Sequence, residues 1–74
     1  MKIKLRQTQL VVLEHKELPT VTVTFQYFAD DYVYFEKKIE DMVTYSTIMS
    51  YKRAKGLIQD LRSKEFALNY IVEG

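Results

Sequence analysis

Residues 20–36, TVTVTFQYFADDYVYFE, contain the pattern that decides the fold. In the first half, valine and aromatic residues alternate with threonine and glutamine, which is typical of a strand with one buried face. A second run of β-branched and aromatic residues, Tyr32–Phe35, follows after Ala29, Asp30 and Asp31. The spacing predicts a β-hairpin.

The register of this hairpin follows from the parity of its loop. A three-residue loop pairs Phe25 with Phe35 and Tyr27 with Val33, so the apolar residues of both strands share one face. A two-residue loop would turn one strand over and expose its apolar side chains. We therefore predict the odd loop, with Asp31 in the left-handed region that glycine normally occupies. The predicted core face consists of Val21, Val23, Phe25, Tyr27, Val33 and Phe35.

The length and composition of the chain limit what it can be. Its 74 residues allow one domain, spanning 1–74. A chain of this size buries only about 60% of its unfolded surface, so its core is marginal. There is no cysteine to supply a disulfide or a thiolate ligand. We expect no metal, no cofactor, and a homo-oligomer, preferably a dimer, that buries further apolar surface.

Targeting signals are missing from the pattern as well. Lys2, Lys4 and Arg6 are not followed by a continuous apolar segment, so we expect no signal peptide. The longest apolar run, Leu10–Leu13, is far shorter than the ~20 residues of a membrane span. The absence of cysteine is compatible with a reducing compartment. These observations predict a soluble cytoplasmic protein that does not enter a membrane.

The segments on either side of the hairpin are less regular. Residues 1–13 alternate, pause at 7–9 and resume, which favours one bent strand over two short strands that meet at a kink. A charged turn at 37–41 and a short strand at 42–46 follow the hairpin. An odd loop near Ile39 would set Val43 and Tyr45 opposite Phe35 and Val33 on the core face. A helix over 36–49 is the alternative, but the density of β-branched and aromatic residues disfavours it.

The last third of the chain predicts a helix and a closing strand. Apolar residues recur at steps of three and four over 47–63, with Ser46 or Thr47 as the N-cap. Gly56 inside this helix is interpreted as a point of close approach to the sheet. Residues 66–72 alternate again, and the apolar face of this strand comprises Phe66, Leu68, Tyr70 and Val72.

Together the elements predict an α+β fold. An antiparallel β-meander sheet of four to five strands is packed on one face by a single helix at about 47–63. The order of elements is β-β-β-β-α-β, within one compact unit.

Residues that carry catalytic chemistry are few. His15 is the only histidine, and it lies in a charged connection where an exposed side chain is expected. No serine lies in a G-x-S-x-G motif, and no glycine-rich phosphate loop is present. Asp30 and Asp31 are typical turn residues and not a desolvated acid–base pair. We expect no enzymatic activity.

Binding to another protein is the function that the composition favours. The six tyrosines and four phenylalanines are many for this length, and aromatic residues are enriched at the centres of interfaces. With one helix on one face, the sheet would leave the other face open. The predicted protein-binding face of this accessory or inhibitor protein comprises Thr22, Thr24, Gln26, Phe28, Tyr32 and Tyr34.

Nucleic-acid binding is the alternative. Cations of the N-terminal strand and of the helix would contact phosphates, while exposed tyrosines stack on unpaired bases. The residues concerned are Lys2, Lys4, Arg6, Lys52, Arg53, Lys55 and Arg62. Asp30, Asp31 and Glu36 lie beside the tyrosines and would repel a phosphate backbone, and the net charge is only +1. The alternative therefore ranks second.

Overall fold

A computed structural model describes residues 8–28 and 31–73 of the chain. These residues form five strands and one helix. The elements are β1 (Thr8–His15), β2 (Val21–Phe28), β3 (Tyr32–Ile39), β4 (Met42–Ser50), α1 (Tyr51–Lys64) and β5 (Phe66–Glu73). The predicted α+β class and the order of elements are confirmed.

The five strands form one antiparallel sheet in the order β4-β3-β2-β1-β5. The first four strands are a meander, and α1 carries the chain from β4 at one edge to β5 at the other. At 1.5 Å per residue the helix of 14 residues is about 21 Å long. Four inter-strand spacings measure about 19 Å. The length of the helix therefore fits the width of the sheet.

The β2–β3 hairpin has the predicted register. Phe25 pairs with Phe35, and Tyr27 pairs with Val33. Asp31 adopts the left-handed conformation, with φ 62°. The rings of Phe25 and Phe35 lie 5.0 Å apart, centroid to centroid, because the odd loop places them on the same face.

The core lies between this face and α1. Five large side chains in it are almost fully enclosed, and they are Phe25, Leu13, Val11, Val23 and Val33. The helix contributes Ala54 and Ile58, which are also buried. Val21 and Tyr27 pack against this cluster as partly buried residues. The predicted core face of the hairpin is thus confirmed.

The β3–β4 connection differs from the prediction. β3 continues to Ile39, and Glu40 and Asp41 form a two-residue turn in which both have positive φ, 52° and 67°. The predicted odd loop is wrong, since Tyr45 pairs with Lys37 and not with Val33, and Val43 pairs with Lys38 and not with Phe35. The helical alternative for 36–49 is also wrong. The charged residues at 37 and 38 continue the ladder because long lysine side chains can lie half-buried along a sheet.

The helix begins four residues later than the pattern predicts. Residues 47–50 belong to β4, where Met49 pairs with Val33 and is buried. The N-cap is Ser50, whose Oγ accepts a hydrogen bond from the backbone N–H of Arg53 at 3.2 Å. The predicted caps Ser46 and Thr47 are wrong. Position 48 fits the helical spacing, but the backbone there is extended and paired with β3.

A bulge in β5 changes the face of half of that strand. Tyr70 pairs with Val12, whereas Leu68 pairs with Leu13, so the register shifts by one residue. Phe66 and Leu68 therefore face the core, but Tyr70 does not, and half of its surface is exposed. The prediction of a single apolar face for 66–72 is wrong, because a one-residue slip exchanges the two sides of a strand.

Two other predictions concern β1 and α1. Within the described residues β1 lies between β2 and β5. Lys2, Lys4 and Arg6 lie outside the described residues. So does the first part of segment 1–13, for which one bent strand was predicted over two short strands. A Cβ atom on Gly56 would meet no atom within 4 Å. The interpretation of Gly56 as a point of close approach is therefore wrong.

Candidate functional site

The candidate site is the face of the sheet opposite α1, which we call the open face. One cross-strand row on this face takes a single residue from each strand of the described sheet. Tyr34 pairs with both Ile48 and Gln26, Gln26 pairs with Leu10, and Leu10 pairs with Val72. Gln26 is the one residue of this row that is neither aliphatic nor aromatic.

Aromatic and aliphatic residues on the open face are unusually exposed. The exposed fractions are 60% for Ile48, 50% for Tyr32 and Tyr70, 45% for Val72 and 41% for Phe28. The only helix among residues 8–28 and 31–73 packs on the other face of the sheet, so no described helix covers these residues. Several exposed apolar residues on one face of a sheet are characteristic of interaction sites.

The register brings the six residues of the predicted binding face onto the open face. They are Thr22, Thr24, Gln26, Phe28, Tyr32 and Tyr34. The two threonines are half-buried, and Thr24 lies beside Val12, which is almost fully buried although it faces away from the helix. The exposed apolar part of the open face therefore lies away from the threonines.

The sequence pattern missed several apolar residues of the open face, among them Leu10, Ile48, Tyr70 and Val72. The helical spacing assigned Ile48 to the helix, and the bulge in β5 reversed the side of Tyr70 and Val72. Leu10 is assigned by its pairing with Gln26 in β2. Only the pairing partners identify these four residues as members of the site.

A polar margin borders the apolar part of the open face. The hydroxyl of Tyr34 donates a hydrogen bond to Glu36 Oε1 at 3.2 Å. The second carboxylate oxygen of Glu36 lies 3.7 Å from Lys38 Nζ. An apolar centre with a hydrogen-bonded, charged margin is the usual construction of a protein–protein interface.

The cations of the alternative site lie elsewhere. Lys52, Arg53 and Lys55 are exposed at the beginning of α1, on the side of the sheet opposite Tyr32 and Tyr34. Arg62 is half-buried and lies about 10–15 Å further along the helix than these three residues, at 1.5 Å per residue. One bound strand would have to reach around the sheet to contact both the helix and the tyrosines. The described structure thus separates the two components of that site.

His15 was expected to be exposed, but its side chain is mostly buried and makes several contacts. Its Nδ1 accepts hydrogen bonds from the backbone N–H groups of Glu17 and Leu18, both at 3.1 Å. Its Nε2 lies 3.4 Å from Glu65 Oε2, and 15% of the side chain is exposed. Its ring packs edge-on against Phe66, with centroids 5.2 Å apart. The imidazole therefore fastens the β1–β2 connection to the beginning of β5.

An open depression of about 390 Å³ lies beside His15 at the β1–β5 pair, and it is lined by Glu14, His15, Lys16, Ala67, Leu68 and Asn69. The Nδ1 atom of the imidazole already accepts two backbone hydrogen bonds there. Across residues 8–28 and 31–73, no three histidine, aspartate or glutamate side chains are grouped so as to hold a metal ion. The depression therefore offers less for binding than the open face does.

The described part of the chain contains no helix whose length and apolar character would let it cross a membrane. Comparison with protein-family models, with curated proteins and with solved structures gives no match. The open face remains the site on which a function can be argued.

Proposed function

We propose that this protein is a small non-catalytic binding module that contacts another protein through its open face. The observation that carries the proposal is the cross-strand row, which spans the whole described sheet. Its aliphatic and aromatic members are Ile48, Tyr34, Leu10 and Val72, and its remaining member is Gln26. An accessory or inhibitor protein would act in this way, by occupying a surface of its target.

The chemistry of the open face suggests what the partner provides. Burial of Phe28 and Tyr32 at one end and Tyr70 at the other requires an apolar surface on the partner. Aromatic residues at the centre of an interface often account for about 2 kcal/mol or more of binding each. The margin formed by Glu36 and Lys38 would set the orientation of the partner, since rim charges contribute more to orientation than to affinity.

We propose further that the protein acts as a homodimer in the cytoplasm. The small core supports the first part, because a second copy would bury apolar surface that the monomer leaves exposed. The absence of cysteine supports the second part, because such a chain needs no oxidising compartment.

Site-specific photocrosslinking in the native host tests the binding face. A photoreactive residue at Tyr32 should crosslink to a partner protein, whereas the same residue at Gln59, exposed on α1, should not. The affinity of the captured partner is then measured with purified proteins. Tyr70→Lys should weaken binding at least about tenfold, or about 1.4 kcal/mol. Leu18→Lys, at a residue 55% exposed in the β1–β2 connection, is the matched control and should bind normally.

Equal crosslinking from both positions, or equal affinity of the two lysine variants, would contradict the proposal.

The nucleic-acid alternative is tested separately by fluorescence anisotropy with single-stranded oligonucleotides over a range of salt concentrations. It is supported by the exposed Lys52, Arg53 and Lys55. Phosphate contacts would give a steep loss of affinity with salt that K52E/R53E reduces. Binding that stays absent at low salt eliminates this alternative.

A further inference from the structure

Strand β4 is the outermost strand on one side of the described sheet, and its sequence lacks the features that usually protect an edge. Its nine residues, MVTYSTIMS, contain no charge and no proline, and seven of them are exposed. At about 3.3 Å per residue the strand is about 30 Å long. Natural edge strands are normally short, charged, interrupted by proline or covered. The other edge, β5, is interrupted by its bulge in the middle, whereas the irregularity of β4 lies near its beginning.

The backbone hydrogen bonds show which groups of β4 point outward. The N–H of Tyr51 donates to the carbonyl of Asp31 at 2.7 Å, which continues the β3–β4 ladder. In an antiparallel pair, alternate residues direct their backbone groups to opposite sides. Met49 and Thr47 therefore bond to β3, whereas Ile48 and Ser46 direct their N–H and C=O groups away from the sheet. These four groups can accept another strand.

The charges at the two ends of β4 favour a second copy of β4 as the added strand, and they favour its antiparallel alignment. The acidic turn of Glu40 and Asp41 lies at the beginning of β4, and Lys52 and Arg53 lie just beyond its end. Within residues 8–28 and 31–73, none of these four side chains forms an ion pair. A second copy of β4 aligned antiparallel would place its acidic turn beside the basic residues of the first copy, and the reverse. A parallel alignment would bring like charges together.

The first turn of α1 carries no acidic residue. The basic residues there lie at the positive end of the helix dipole, which is unfavourable within the monomer. Carboxylates from the turn of a second copy would reduce this repulsion. The acidic beginning of β4 therefore complements the basic end of a second β4, and its basic end complements the acidic beginning of that second strand.

We propose that β4 is the interface of the homodimer, in which two copies pair antiparallel about a two-fold axis near Thr47. This inference rests on the proposed homodimer but not on the open face. Ser46 of each copy then pairs with Ile48 of the other, which satisfies the outward N–H and C=O groups. The same patch contacts itself, as two-fold symmetry requires. The product is one continuous sheet of two copies that leaves both open faces available.

Charge exchange tests the interface. E40K/D41N reverses the charge of the turn, and asparagine is chosen for the second left-handed position because it tolerates that conformation. K52E/R53E reverses the charge at the beginning of α1. Sedimentation velocity should show the wild type as a dimer and each variant alone at least about tenfold weaker in dimerisation, or about 1.4 kcal/mol. An equimolar mixture should recover a heterodimer, identified by its mass in native mass spectrometry, because both contacts become attractive again.

Ile48→Pro provides a second, charge-independent test, since it removes an outward N–H group and no bond to β3. Circular dichroism confirms that each variant is folded. Tyr70→Lys, on the open face, should dimerise like the wild type even if it no longer binds a partner protein. A wild type that stays monomeric at millimolar concentration, or a dimer that survives both charge variants and Ile48→Pro, would overturn the proposal. A mixture that fails to form the heterodimer would overturn it as well.

Discussion

Arg53→Glu should stabilise the monomer although it reverses a charge. Ser50 caps α1, and its Oγ already accepts the N–H of residue 53 at 3.2 Å. Residue 53 is the third position of the helix, where glutamate completes a capping box by accepting the N–H of the cap residue. The N–H of Ser50 is available for this bond, because by alternation it points away from β3.

The expected gain in the free energy of unfolding has two contributions. The added hydrogen bond contributes about 0.5–1.5 kcal/mol. Replacing a cation with an anion at the positive end of the helix contributes about 0.3–1 kcal/mol for each of the two charge changes. Because such terms are not additive, we expect a gain of about 1.5 kcal/mol, which for a domain of this size raises the Tm by about 6–12 °C.

Thermal and urea unfolding followed by circular dichroism measure this gain. Protein concentration is kept below the range in which the wild type dimerises, since association would add to its apparent stability. Arg53→Ala removes the cation without adding a cap, and Arg53→Gln adds the cap without the negative charge. The expected order of stability is Glu, then Gln, then Ala. A glutamate variant no more stable than the alanine variant would refute the capping argument.

Three further substitutions have expected outcomes. Gly56→Ala should raise the free energy of unfolding by about 0.5–1 kcal/mol, because the helix interior at this position is open to solvent; Gln59→Gly is the reverse control and should lower it by a similar amount. Asp41→Gly should raise the free energy of unfolding by about 0.5–1 kcal/mol in urea titrations, because φ is 67° there and glycine adopts this left-handed conformation at less cost than aspartate does. No gain would contradict this account of the turn. Phe25→Ala should lower the free energy of unfolding by about 3–5 kcal/mol, because the ring is fully buried against Phe35. A loss below 1 kcal/mol at Phe25, measured by the same titration, would show that the core is not packed as described.

Part of the candidate site could be predicted from sequence, because its pattern depends only on residues that are close together in the chain. Thr22, Thr24, Gln26, Phe28, Tyr32 and Tyr34 alternate with core residues on two strands joined by a short loop. Parity across that loop leaves one register that buries all the apolar residues together. Their common face therefore needed no information from the rest of the chain.

The remaining apolar residues of the open face depended on distant partners. Ile48 fits a helical spacing with Tyr51 as well as it fits a strand, and its pairing with Tyr34 decides between them. The side taken by Tyr70 depends on where β5 slips against β1, between Val12 and Leu13. The alternation of residues within 66–72 does not show where that register shift occurs.

The sequence by itself thus determined the β2–β3 hairpin, its buried face, the α+β class and the order of the elements. Periodicity and loop parity are properties of neighbouring residues, and they suffice where one register alone buries the apolar side. Only the tertiary structure decided the end of β4, the beginning of α1 and the full extent of the open face. Those features arise from strand pairing and a bulge, where the conformation of one segment is set by a segment remote in the chain.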